Sequence, residues 1–166
     1  GILQDAAARG DGPFAILEDV LEFSADFADR APALLDSLLA MNWSVFYGGY
    51  EAHSFDETGL VKVMPDAPLR TTHFICFNSE TIPIAQKYLE AILARPAGDP
   101  AGGPMHVDGA YCWLRKDHPE LMTFAASPPL GDQRSSRSDI APLRWYDRSP
   151  VLSPVAAFLR KTLRRN

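Results

Sequence analysis

The side chains with the types and spacing for chemistry fall into separate clusters along this 166-residue sequence. Glu18 and Asp19 follow directly on an apolar run, Phe14-Ala15-Ile16-Leu17. Adjacent carboxylates at a strand end are costly to place unless something positive meets them, and hard oxygen ligands suit Mg²⁺ or Mn²⁺ carried by a diphosphate. The plainer alternative is a pair of solvated loop acids. Met105-His106-Val107-Asp108-Gly109 stands where a Pro/Gly-rich stretch meets a helix pattern. There Asp108 is either a helix-start acid favoured by the dipole or a general base for a hydroxyl nucleophile, with His106 beside it to bind phosphate or metal. The same pair as acid and base of a small-molecule hydrolase is a remoter alternative. Gln133-Arg134-Ser135-Ser136-Arg137-Ser138-Asp139 sets two guanidinium groups, Arg134 and Arg137, among small hydroxyls. Such a loop can clamp a diphosphate bidentately and close as a lid, or it is simply an exposed polar loop. His53 and His118 read as surface residues, and His73, inside a strand pattern, as a packed one.

The elements that must position these groups alternate between strand and helix patterns. Residues 2–9 predict a short helix, ended by the turn cluster 10–13 before Phe14–Leu17. That continuous apolar run predicts a buried strand, parallel or central, covered on both faces. Ser24 caps a helix with Phe27, Ala31, Leu34, Leu35, Leu38 and Leu39 at helical spacing. Residues 43–47 read as a strand closed by Gly48-Gly49, where a tight turn or a close ligand approach needs no Cβ. Residues 60–63 and 72–77 are further strands, and Asn78 or Ser79 caps a helix running to about Leu93. A surface loop at 95–104, a helix at 107–116, a strand at 121–125 and a long polar loop at 127–138 follow. A closing helix spans about 155–164. Ligands of open α/β sheets gather beyond the carboxyl ends of strands, which is where Glu18 and Asp19 sit.

Composition bounds the class. With 46% hydrophobic and 22% charged residues, the chain can bury a core as one domain, 1–166. A net charge of -5 excludes a general polyanion binder, so no nucleic acid partner is expected. The exception is the basic end at about 155–166, where Arg160, Lys161, Arg164 and Arg165 can touch anionic lipid or merely suit the negative end of a helix dipole. The two cysteines, Cys76 and Cys112, form no CxxC pair and read as reduced core thiols. No apolar run approaches the ~18 residues of a span, so the expected location is cytoplasmic, with peripheral contact at the inner membrane through the basic helix. The sequence begins at Gly1 with a helix-like stretch already under way, and a fold incomplete at its N-terminus is expected.

Taken together, Ile16-Leu17-Glu18-Asp19 resembles the "LEDD" strand end of the family 25 glycosyltransferases, the lipopolysaccharide-type sugar transferases. Thr72-His73-Phe74-Ile75 with the helix from Ile82 to Leu93 resembles the strand and helix before that family's second acidic site. His106-Val107-Asp108 is similar to its "P-x-D" segment, and Pro128-Pro129-Leu130 through Ser138-Asp139-Ile140 to its closing "Q…SDI" stretch. The resemblance implies a GT-A-like, Rossmann-like mixed sheet flanked by helices, a nucleoside-diphosphate sugar donor, Mn²⁺ or Mg²⁺, and a glycan or lipid-linked acceptor in cell-surface polysaccharide assembly. It implies Glu18 and Asp19 at the metal, Glu18, His106, Gln133, Arg134 and Arg137 at the donor, and Asp108 as catalytic base. The family's second aspartate is Val20 here, for which Glu22 or Asp108 would have to substitute. The amino-terminal strands that hold the nucleotide base in that family are absent from the sequence.

Overall fold

Period-two alternation in the strands decides which side chains go to which face of the sheet. The computed structural model describes residues 1–10, 12–51 and 55–134. In β3 (Val45–Glu51) Val45 and Tyr47 point to one face and Phe46 to the other. In β5 (Arg70–Phe77) Ile75 and Phe77 oppose Phe74 and Cys76, and in β6 (Thr123–Ser127) Ala125 opposes Phe124 and Ala126. With β1 (Phe14–Leu17) and β4 (Gly59–Val63) these form a five-stranded sheet in the order β1-β5-β3-β6-β4. The β3 and β6 strands run parallel and the other pairs antiparallel, so the sheet is mixed.

Helices cover both faces. The first face buries Val45, Tyr47, Ile75 and Phe77 with residues of α1 (Ile2–Arg9), α3 (Thr81–Ala94) and α4 (Val107–Asp117). The second buries Phe46, Phe74 and Phe124 with Ala31, Leu34 and Leu38 of α2 (Phe27–Leu39). The expected α/β class with a helix-flanked mixed sheet is therefore present. Helix α1 ends where Gly10 takes φ 66, a left-handed cap that a residue without Cβ reaches at little cost. Before α3 the N-cap is Glu80, not Asn78 or Ser79, while Asn78 Oδ1 accepts from the Thr81 N–H at 2.8 Å and the Thr81 hydroxyl at 2.6 Å in the turn that leads into the helix. Helix α2 likewise has Asp26, not Ser24, at its N-cap.

On the first face Arg115 of α4 is 1% exposed. Its guanidinium donates to the Met64 carbonyl at 3.3 Å and the Ala67 carbonyl at 2.7 Å, tying down the connection between β4 and β5. It also lies 5.5 Å from the centre of the Tyr47 ring. Burial pushes the Tyr47 phenol well above its ordinary range, against the opposing pull of Arg115.

Several sequence expectations change. Strand β1 is neither central nor covered twice: it is the sheet edge, antiparallel to β5, with Leu17 51% exposed. Its apolar run buries only the Phe14 and Ile16 side. Gly48 and Gly49 do not close β3, which continues to Glu51. A Cβ on Gly48 would lie 2.4 Å from the Phe74 ring and one on Gly49 2.5 Å from the His73 ring. The space left by the two glycines is filled by rings of the neighbouring strand, not by a ligand. The polar loop at 127–138 contains β7 (Gly131–Gln133), which pairs with β2 (Leu21–Phe23) in a two-stranded sheet.

The chain divides into two compact units, Gly1–Asp132 and Gln133–Asn166, and only Gln133 and Arg134 of the second are described. The expectations for Arg137, the lid, the basic helix and His53 lie outside the described residues. Among the described residues no helix is long and apolar enough to cross a membrane.

Candidate functional site

The antiparallel register of β1 on β5 carries Glu18 to the start of β5. Leu17 pairs with Phe74, and one residue further the Glu18 N–H donates to the His73 carbonyl at 3.0 Å. The Leu21 N–H then returns to the Glu18 carbonyl at 3.0 Å, closing a turn through Asp19 and Val20 that leads into β2. This turn leaves Glu18 half-buried and Asp19 exposed. The Thr72 hydroxyl, buried beneath, donates to Glu18 Oε1 at 3.4 Å.

Helix α4 brings a second carboxylate to the same strand end. Asp108, in its first turn, accepts the Thr71 N–H on Oδ2 at 3.3 Å and the Gly109 N–H on Oδ1 at 2.8 Å. Both oxygens thus hold a backbone donor, which fixes the orientation of the group. Glu18 and Asp108 therefore hang from adjacent residues, Thr72 and Thr71.

Thr71 is itself unusual, a β-branched residue at φ 58. Such left-handed backbone costs on the order of 1–3 kcal/mol and persists only where the surroundings over-determine it. Here the N–H is engaged by Asp108, and the hydroxyl meets His73 Nδ1 at 3.0 Å. His73 is fully buried, with Nε2 3.1 Å from the Gly131 carbonyl. A carbonyl only accepts, so Nε2 carries a proton and donates to Gly131. The packed, satisfied histidine expected from the sequence is thus in place, and it links the start of β5 to β7.

Beside this strand end lies a cavity of about 480 Å³, with Glu18 and Thr72 in a wall that is otherwise mostly apolar. Leu3 of α1, Ile16 of β1, Ile75 of β5, Leu89 of α3 and Tyr111 of α4 supply that lining. Burial pushes the Tyr111 phenol up to about 12, so it keeps its proton at neutral pH. At the rim Glu90 accepts from Gln4 Nε2 at 2.9 Å and from Gln86 Nε2 at 3.0 Å. Those amides, Gln86 first, hold its carboxyl below the usual range.

Of the residues singled out in the sequence, Glu18 and Asp108 are brought to one strand end. Asp19 adjoins Glu18 on the exposed turn, and His106 is exposed at the N-cap of α4. Gln133 and Arg134 belong to the second unit, the first half-buried and the second exposed. Among the described residues no group of three or more His, Cys, Asp or Glu side chains comes together to hold a metal ion. Mg²⁺ commonly takes one or two carboxylates and completes its shell with phosphates and water, and Glu18 with Asp19 fits that modest requirement. The sequence reading missed Thr71 and Thr72, which tie the carboxylates together, and it missed the apolar cavity. Thr72 read only as a strand residue and Thr71 fell just outside the expected strand, and a positive φ leaves no mark in composition.

Compared with known proteins, the chain matches no family model and no curated protein.

Proposed function

We propose that this chain is a sugar transferase domain of GT-A-like fold, moving a sugar from a nucleoside diphosphate to a hydroxyl acceptor in cell-surface polysaccharide or lipopolysaccharide assembly. The observation that supports it is the meeting of Glu18 and Asp108 at Thr72 and Thr71, beside a cavity of ligand size. In this reading Asp108 takes the proton of the acceptor hydroxyl. The acceptor oxygen forms a bond to the anomeric carbon, and the bond from that carbon to the diphosphate oxygen breaks, its electron pair leaving with the diphosphate. A divalent ion, when bound, supplies charge neutralisation for that leaving group, and Glu18 and Asp19 are the residues that would hold it. His106 is assigned to the donor.

A second reading is a binding domain of the same fold without transfer activity. It is favoured by the apolar lining beside Glu18 and by Val20 standing where a second acid would strengthen a metal site. Thermal melting of the protein with uridine, guanosine and cytidine diphosphates, with and without Mn²⁺, separates the two. A diphosphate at a hundredfold its Kd stabilises by roughly 2.7 kcal/mol, and the transferase reading expects this gain to need the ion and to vanish in Glu18→Gln. If none of the diphosphates moves the melting temperature in either condition, the transferase reading is wrong.

A further inference from the structure

The cavity has a chemistry of its own. Its floor is β1 and β5, its walls are helices α1, α3 and α4, and its lining is dominated by aliphatic side chains. The apolar surface continues onto the rim, where Ile2 is 60% and Leu93 68% exposed. Side chains of this kind gain from leaving water only when something apolar covers them. A volume of about 480 Å³ falls in the range of small-ligand pockets, and a cleft walled by three helices suits a flexible chain better than a peptide helix some 10 Å across.

The polar groups select the head. Glu18 is the carboxylate in the wall, with the Thr72 hydroxyl beside it at a long 3.4 Å, so its oxygens keep capacity for further donors. Glu90, Gln4 and Gln86 satisfy one another at the rim. No lysine or arginine lines the cavity among the described residues. An anionic head would meet the charge of Glu18, whereas hydroxyl groups can donate to it.

We propose that this cleft binds a single-chain amphiphile, its alkyl portion lying among Leu3, Ile16, Leu89 and Leu93 and its uncharged, hydroxyl-bearing head at Glu18 and Thr72. The binding stands on the cavity alone. Only the further step, that such a molecule is the acceptor and presents its hydroxyl towards Asp108, rests on the transferase reading.

The experiment is titration calorimetry of the whole protein with alkyl β-glucosides of six to ten carbons, kept below micelle formation. The dissociation constant should tighten about fourfold for each added methylene until the cleft is full. Leu93→Asp, on an exposed rim residue, should weaken the longer glucosides at least tenfold while circular dichroism shows the fold intact. Octanoate should bind at least tenfold more weakly than octyl glucoside, and Glu18→Gln should narrow that gap. Affinity independent of chain length, or unchanged by Leu93→Asp, would overturn the proposal. So would preferential binding of octyltrimethylammonium, which would replace the hydroxyl head by a cation. Dimerisation in sedimentation runs that disappears with Leu93→Asp, without glucoside binding, would mean that a second copy covers the cleft instead. Nucleotide protection is measured on the same proteins, so glucoside binding without it would sink the transferase reading and leave the cleft's ligand standing.

Discussion

The two faces of the sheet are built from the same strands and end in opposite states. Under α2, large rings fill the layer: Phe74 meets Phe46 and Phe23 edge to face, each pair with centroids 6.2 Å apart. Gly48 leaves room for one of those rings to sit directly on the neighbouring strand. Under α1, α3 and α4 the side chains lining the space near β1 are mostly aliphatic, with Tyr111 among them, and they leave a cavity of about 480 Å³. An unfilled cleft forfeits contacts that a filled layer keeps, so the first face gives up packing beside β1. The carboxylates stand on the side that gives it up. This is the division expected of a scaffold with one closed face and one face open to a ligand.

The difference can be broken most forcefully at Phe46, which is completely buried. Phe46→Ala should cost roughly 3–5 kcal/mol in denaturant unfolding, whereas Leu89→Ala in the cavity wall should cost about 1 kcal/mol. Equal losses would mean that the two faces are packed alike. Next in size is Arg115→Met, expected to cost roughly 2–4 kcal/mol because the Met64 and Ala67 carbonyls lose their donor. Arg115→Lys should recover only part of this, since one ammonium does not reproduce the spread of the guanidinium fork.

Alkaline pH probes both faces at once. Burial raises the Cys76 thiol on the α2 face from 9.0 to about 12, and Tyr111 on the cavity face from 10.0 to about 12. The native state holds these protons more tightly than the unfolded chain, so their contribution is intact below pH 9 and is lost as the pH climbs towards 12. Once the unfolded groups titrate, unfolding free energy should fall by roughly 1 kcal/mol per pH unit for each of them. A Cys76→Ala variant should delay the onset by about one pH unit, and an unchanged onset would count against burial of the thiol. In the opposite direction, Leu89→Phe should narrow the cavity, shift stability by less than about 1 kcal/mol and weaken binding of the longer glucosides. The smallest change is expected at Thr71→Gly. Relief of the positive φ and loss of the hydroxyl contact to His73 oppose each other, leaving a net shift within about 1 kcal/mol.

Much of the architecture was legible because amphipathic period reports burial directly: the spacing of Leu34 and Leu38 marked α2, and the run through Phe77 marked β5. The edge position of β1 was not, because four apolar residues look the same whether one face or two are covered. The short β2 and β7 pair was invisible for a related reason, since neither three-residue segment carries a period of its own. At the site, Glu18 and Asp108 stood out by residue type. Their meeting depends on a pairing register and a helix start separated by 90 positions of sequence, which no local pattern encodes.

The attachment of these carboxylates to consecutive threonines sets a scale that the rest of the chain cannot easily disturb. Neighbouring Cα atoms lie ~3.8 Å apart by covalent geometry alone. The anchors of the two acids are thus one peptide bond apart, however long the excursion between β5 and α4. Insertions in the Pro/Gly stretch at 95–104 should lengthen that excursion and leave the contact of Asp108 to Thr71 in place.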